Sequence, residues 1–332
     1  MGKGHDVSDS FVVASCAATF GIFDTSAVER LEAAGCTVRV NPYGRPLSAD
    51  EIVEHAHDSD AIVLGNDYLD AATMDRLPRL RLVARHGAGF DGVDFAAAVR
   101  RKITITNTPG ANREETADLT FALILDLARM ITQTVTQLKS GVWNKIPGRS
   151  LYGKTIGIIG VGAIGMAVAA RAMGFGMDIL GYDIVQRPEA SRYGLLYTSL
   201  DELLEKSDVV TIHAPLTSAT RNMLGAREFR RMKEGALLVN TARAGIVRES
   251  ALERALLSGS LGGYAVDVYE REPPTLPKVY EMPNVLTTPH IGSATLEANR
   301  RMGDVVADNI IAFKDGKEPP NRVTFADRVR FS

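Results

Sequence analysis

Thr155-Ile156-Gly157-Ile158-Ile159, then Gly160-Val161-Gly162-Ala163-Ile164-Gly165, then Met166-Ala167-Val168-Ala169-Ala170: this stretch decides how the chain folds. A β-branched apolar run gives way to glycines spaced G-x-G-x-x-G, and these open an alanine-rich segment that suits a helix. The order carries the chemistry. The first glycine makes a tight turn, the second lets the backbone approach a pyrophosphate, and the third lets helix and strand pack closely. The helix N-terminus then offers amide N–H groups to the anion. The next strand, Asp178–Tyr182, runs into Asp183, where a carboxylate accepts hydrogen bonds from an adenosine ribose and repels a 2′-phosphate. A dinucleotide site is therefore predicted on Gly160, Gly162, Ala163, Ile164, Gly165 and Asp183, with NAD favoured and Arg187 close enough to soften that preference.

Outward from this unit the same alternation continues. Strand-like runs at 178–182, 209–213, 236–240, 262–267 and 285–288 follow it, with helical segments between most of them. A separate series precedes it at 11–15, 37–40, 61–64, 80–84 and 103–106, with helical segments at 26–34, 49–57 and 94–101. Strand and helix alternating throughout predict an α/β protein with two doubly wound parallel sheets. The 332 residues fit two domains of roughly 150 residues each. Between the series one long helix is predicted over 113–139, with Leu119, Ala122, Leu123, Leu127 and Met130 at helical spacing and Asn112 with Glu115 as a capping box. Its length suits a bridge between domains or subunits. A last helix, 293–314, is placed to return the chain to the first domain.

Composition excludes several classes. Lys and Arg total 38 against 40 Asp and Glu, a net charge of −2, so nothing marks a nucleic-acid partner. Two cysteines, Cys16 and Cys36, cannot build a disulfide framework or a cysteine-rich zinc site, and they fit a reducing compartment. The longest uncharged run, 156–170, is too short and glycine-rich to span a membrane. The start, Met1-Gly2-Lys3-Gly4-His5-Asp6, lacks the hydroxyl residue that myristoylation needs, and no secretion pattern follows. The expectation is a cytoplasmic protein with no membrane, nucleic-acid or metal partner.

Ligands of doubly wound sheets bind beyond the carboxyl ends of the strands. His86, His213 and His290 all fall at such ends. His5 sits in a tail. His55 and His57 are two apart on a helix and point to different sides, so they read as a solvated helix end. Arg243 follows the strand 236–240, suitably placed for an anionic substrate, and Glu272 follows the strand 262–267.

Taken together, HGAGFDGVD at 86–94, NTPGAN at 107–112, GVGAIG at 160–165, HAPLT at 213–217, NTARAGIV at 240–247, DVYEREP at 267–273 and TPHIGS at 288–293 resemble the D-isomer-specific 2-hydroxyacid dehydrogenase family. The resemblance implies a Rossmann NAD-binding domain, about 104–290, inserted in a discontinuous, flavodoxin-like substrate domain formed by 1–103 and 291–332. It implies a trio in which His290 is the acid/base, Glu272 orients and tunes it, and Arg243 clamps the carboxylate of a small 2-keto or 2-hydroxy acid. Ala88 and Gly89 would add backbone donors to the substrate. Pro215, Thr220, Thr241 and Ala242 would line the cofactor, and Asp267 would hold the nicotinamide carboxamide. A homodimer would form through 113–139. Gly65-Asn66-Asp67-Tyr68 stands where phosphoglycerate-type members carry an arginine, which argues against a phosphorylated substrate and leaves glyoxylate, hydroxypyruvate and similar acids.

Other dehydrogenase classes fit less well. No tyrosine has lysine four residues on, which excludes the short-chain type. The cysteines are too few for the zinc alcohol dehydrogenase sets. The alternative from another class is an NAD-sensing corepressor on the same scaffold, since fold alone does not fix function. The absence of a long basic arm favours the enzyme.

Overall fold

The computed structural model describes residues 10–324, and His5 lies outside the described residues. The chain divides into two compact units, one of residues 10–112 with 294–324 and one of residues 113–293.

In the first unit β1 (Phe11–Ser15), α1 (Ser26–Ala33), β2 (Cys36–Arg39), α2 (Ala49–Ala56), β3 (Ala61–Leu64), α3 (Ala71–Asp75), β4 (Leu82–Arg85), α4 (Phe95–Arg100) and β5 (Thr104–Thr106) alternate. The strands pair in the order β2-β1-β3-β4-β5, all parallel. β3 and β4 are buried along their whole length, as strands covered on both faces must be. Short polar residues start the helices. The Ser48 hydroxyl accepts the Glu51 N–H, and the Glu51 carboxylate accepts the Ser48 N–H, closing a capping box on α2. His55, read from the sequence as solvated, is half-buried instead and bonds the Ser15 carbonyl through Nε2 at 3.0 Å. His57 stays exposed.

The second unit opens with α5 (Arg113–Arg129) and α6 (Ile131–Lys139). It continues through β6 (Thr155–Ile159), α7 (Ala163–Gly174), β7 (Asp178–Tyr182), β8 (Leu195–Tyr197), α8 (Leu200–Lys206), β9 (Val209–Ile212), α9 (Ala226–Arg231), β10 (Ala236–Asn240), α10 (Glu249–Leu257), β11 (Leu261–Val266) and β12 (Val285–Thr287). Its seven parallel strands run β8-β7-β6-β9-β10-β11-β12. The chain proceeds outward from β6 to β8, then returns to β9 on the other side, so the order reverses between β6 and β9. α11 (Leu296–Lys314) rejoins the first unit, burying Met302, Val306, Ala307 and Ile310, while Arg30 of α1 pairs with Asp304 and Asp308.

Three expectations need correction. β8 was not read from the sequence: Leu195-Leu196-Tyr197 follows directly on the left-handed turn at Gly194 and leaves Leu196 exposed. The expected domain boundary after residue 103 would detach β5, yet β5 pairs with β4 in the five-stranded sheet, and the division falls at 112/113, with the return at 293/294. The single helix over 113–139 is two helices. Met130 adopts φ 54°, ψ 42°, and the pair is bent by 63°. The break has local causes. Asp126 accepts the Thr132 N–H and hydroxyl, and the stretch Ile131-Thr132-Gln133-Thr134-Val135-Thr136 is crowded with β-branched residues that favour helix weakly. α5 buries Ala117, Phe121, Ile124 and Leu127 in the core, whereas α6 buries nothing. Among the described residues no single helix is long and apolar enough to cross a membrane; only this bent pair reaches that length and composition together.

A left-handed backbone costs a residue with a side chain about 1–2 kcal/mol, and a β-branched residue more. Met130→Val should therefore unfold at lower urea concentration than the wild type, by about 1–2 kcal/mol, and Met130→Gly should not; equal midpoints for the two variants would locate the break elsewhere.

Candidate active site

The reversal between β6 and β9 builds the glycine loop. Gly160 has φ +92°, and a methyl group on it would lie 2.5 Å from the Ala214 nitrogen and 2.6 Å from the His213 carbonyl carbon, so only glycine lets the end of β6 lie against the end of β9. A methyl group on Gly165 would lie 2.1 Å from the Gly160 oxygen, which is the close helix–strand approach that the third glycine permits. Gly162 differs: a methyl group there would meet no protein atom within 4 Å. Gly162, Ala163 and Ile164 thus present open backbone at the N-terminus of α7, a cradle fit for a pyrophosphate.

Asp183, just past β7, closes this loop from the side. Its carboxylate accepts the Val161 N–H at 2.7 Å and the Val185 N–H at 2.9 Å. Each carboxylate oxygen has a further acceptor position, as ribose hydroxyls require. Arg187 lies 3.5 Å from Asp183 and donates to the Val161 carbonyl at 2.9 Å.

Three adjacent parallel strands, β10, β11 and β12, deliver the expected trio. Arg243 follows β10. The buried Asn240 accepts the Ala242 N–H at 3.0 Å and donates to the Arg243 carbonyl at 2.9 Å, which fixes the backbone of the arginine loop. Arg243 Nη1 itself donates to the Ala242 carbonyl at 2.7 Å. Glu272 follows β11, and its two oxygens lie 2.7 and 2.8 Å from His290 Nδ1. His290 follows β12 at φ 53°, with the imidazole 30% exposed and the carboxylate 17%.

Asp267, expected on the nicotinamide, holds this loop together. Its Oδ1 accepts the Thr288 hydroxyl at 2.7 Å and the Ile291 N–H at 2.8 Å, and its Oδ2 accepts the Gly292 N–H at 2.8 Å. Burial pushes its carboxyl above the usual carboxylate range, against the pull of those three donors. Thr116 of α5 donates to the Gly292 carbonyl at 3.2 Å, and Thr120 bonds Thr241 through the hydroxyls at 3.0 Å. Asn240, Thr116 and Thr120 were not singled out from the sequence. A polar residue on an otherwise apolar strand or helix face is the signal that could have found them.

The remaining expected residues have structural partners. The Thr220 hydroxyl donates to the Pro215 carbonyl at 2.6 Å and accepts the Thr217 N–H at 2.8 Å, which pins the loop after β9. Ala88 and Gly89 lie in the first unit past β4, where Asn107 donates to the Ala88 carbonyl and Arg85 to the Gly89 carbonyl. His86 and His213 are not brought into the trio. His86 is buried with its edge against Phe20, and His213 bonds Thr211 at 2.9 Å.

A model of the D-isomer specific 2-hydroxyacid dehydrogenase NAD binding domain matches residues 121–292. The chain belongs to the D-isomer-specific 2-hydroxyacid dehydrogenase family. This dehydrogenase is 43% identical over 287 residues to a glyoxylate reductase of Korarchaeum cryptofilum, covering 84% of this chain and 86% of that one. Among solved structures it resembles a glyoxylate reductase from Paecilomyes thermophila, with TM-score 0.83, 31% identity, and 95% and 98% of the two chains covered. It also resembles a D-lactate dehydrogenase from Aquifex aeolicus in complex with NAD and lactic acid, with TM-score 0.81, 28% identity, and 94% and 98% covered. It is an NAD-dependent 2-hydroxyacid dehydrogenase whose chemistry is 2-keto acid reduction.

Two desolvated histidines make its stability pH-dependent. Burial pushes His86 down to about 4 and His213 to about 3, while an unfolded imidazole titrates near about 6.5. The unfolded chain takes up these protons first, so stability is full above about pH 6.5 and falls below it. The slope is up to about 1.4 kcal/mol per pH unit for each imidazole. Urea unfolding between about pH 7 and pH 5 should show this fall, and His213→Gln should shallow it; an unchanged slope would assign the acid sensitivity to other groups.

Proposed function

We propose that this chain reduces a small, unphosphorylated 2-keto acid to its D-2-hydroxy acid with NADH, glyoxylate being the first substrate to test because relatives 43% and 41% identical to it are glyoxylate reductases. The observation that carries the reading is His290 Nδ1 between both oxygens of Glu272. With Nδ1 engaged, Nε2 is the nitrogen that exchanges a proton with the substrate oxygen. Glu272 fixes the ring tautomer and stabilises the positive charge whenever the ring is protonated.

The bound cofactor supplies a hydride. The protein does the rest. Arg243 offers a planar fork to the substrate carboxylate, on a loop that Asn240 keeps in place. His290 delivers the proton to the oxygen as negative charge develops there. Gly160, Gly162, Ala163, Ile164 and Gly165 receive the pyrophosphate, and Asp183 the adenosine ribose. Pro215, Thr220, Thr241 and Ala242 shape the nicotinamide half, and Asp267 orders the loop beside it.

Loss of NADH absorbance with glyoxylate, hydroxypyruvate and pyruvate tests the reading. Turnover is expected with at least one of them. His290→Ala should cut it by roughly a hundredfold or more while NADH affinity stays within a few fold. Tight NADH binding without turnover on any acid would overturn the reading in favour of a sensor.

The reading includes a homodimer through the 113–139 region. Its support is an exposed apolar stripe at helical spacing, Ile131, Val135 and Leu138, which continues into Val142 and Trp143, the last 82% exposed. Leu138→Glu should turn a dimer into a monomer in sedimentation velocity with the circular dichroism spectrum unchanged. A wild-type chain that sediments as a monomer would remove this part of the reading.

A further inference from the structure

Tyr269 touches both ends of the Glu272–His290 pair. Its backbone N–H donates to Glu272 Oε1 at 3.3 Å, and its hydroxyl donates to the Thr288 carbonyl at 2.9 Å. That carbonyl also accepts the N–H of His290, at 3.0 Å. One residue thus grips the carboxylate directly and the histidine through the oxygen that binds its own amide.

The histidine needs such a grip. Its φ of 53° is uncommon for a residue with a side chain, and a conformation of this kind persists only where neighbours over-determine it. Asp267 secures the loop at Thr288, Ile291 and Gly292. None of those bonds reaches the Thr288 carbonyl, which sits at the turn into His290. Tyr269 supplies the missing constraint. Its hydroxyl is a constant donor, because burial, with the nearby charges of Asp267 and Glu272, pushes it up to about 12.

We propose that Tyr269 is a positioning residue for the reaction, setting the distance and direction of the His290 imidazole against Glu272 through its hydroxyl bond to the Thr288 carbonyl. The inference rests on the reading of His290 as acid/base. Tyr269 touches neither substrate nor cofactor in this role, and its effect falls on kcat.

Tyr269→Phe is the test. It keeps the ring and the backbone bond to Glu272 and removes only the hydroxyl. Loss of one hydrogen bond of this kind should lower kcat for the keto acid roughly three- to tenfold, with the NADH dissociation constant within about twofold and the chain fully folded under assay conditions. The decisive measurement is a cycle with Glu272→Gln. Once the imidazole–carboxylate pair is broken, Tyr269→Phe should change kcat by less than about twofold, since positions that act through one pair are non-additive. Wild-type kcat in Tyr269→Phe would overturn the proposal. So would the full loss repeated in the Glu272→Gln background, or a loss matched by weaker NADH binding. His290→Ala separates the two levels. If it abolishes turnover while Tyr269→Phe does not slow it, only the role of Tyr269 falls. If it turns over normally, the proposed chemistry falls and the role of Tyr269 with it.

Discussion

Everything in the second unit depends on how closely β6 can lie against the end of β9. Gly160 makes that contact with no Cβ, against the backbone of His213 and Ala214. The strand order reverses there, and the chains leaving β6 and β9 part to opposite sides, which opens the crevice that a dinucleotide uses. From the same reversal β10, β11 and β12 are laid down side by side with their carboxyl ends at one edge. The glycine loop and the three charged residues therefore share an edge because of sheet connectivity, without any direct contact between them being required.

Two carboxylates past the same strand, β11, illustrate how surroundings divide labour between similar groups. Asp267 is buried and accepts from one hydroxyl and two amides, all within the 288–292 loop, so its charge serves to hold backbone. Glu272 is more open and directs both oxygens to one imidazole nitrogen. The sequence motif carries both residues in a single run, and nothing in their spacing tells the anchor from the partner of the imidazole.

That limit is general here. The strands and the glycine loop were legible because β-branched runs and glycine spacing are local signals tied to local geometry. The placement of Arg243, Glu272 and His290 past strand ends was legible because residues after parallel strands share one edge of the sheet whatever the loops do. Met130 was not, since a methionine in the left-handed region leaves no mark that a glycine would have left. Asn240 and the hydroxyl of Tyr269 were not, because their partners are backbone carbonyls and amides, and backbone atoms carry no letter. His55 was misread for a related reason: its partner, the Ser15 carbonyl, lies on a strand distant in sequence.

The break at Met130 has a consequence for how the chain can change. Before it, the helix is tied to the core and, through Thr116 and Thr120, to the loops at the strand ends. After it, the helix buries none of its residues within its own unit. Continuous in sequence, the two halves answer to separate demands, one to chemistry and packing, the other to whatever surface it meets. Substitutions on α6 change the surface it presents, while the loops at the strand ends, tied to the helix before the break, keep their places.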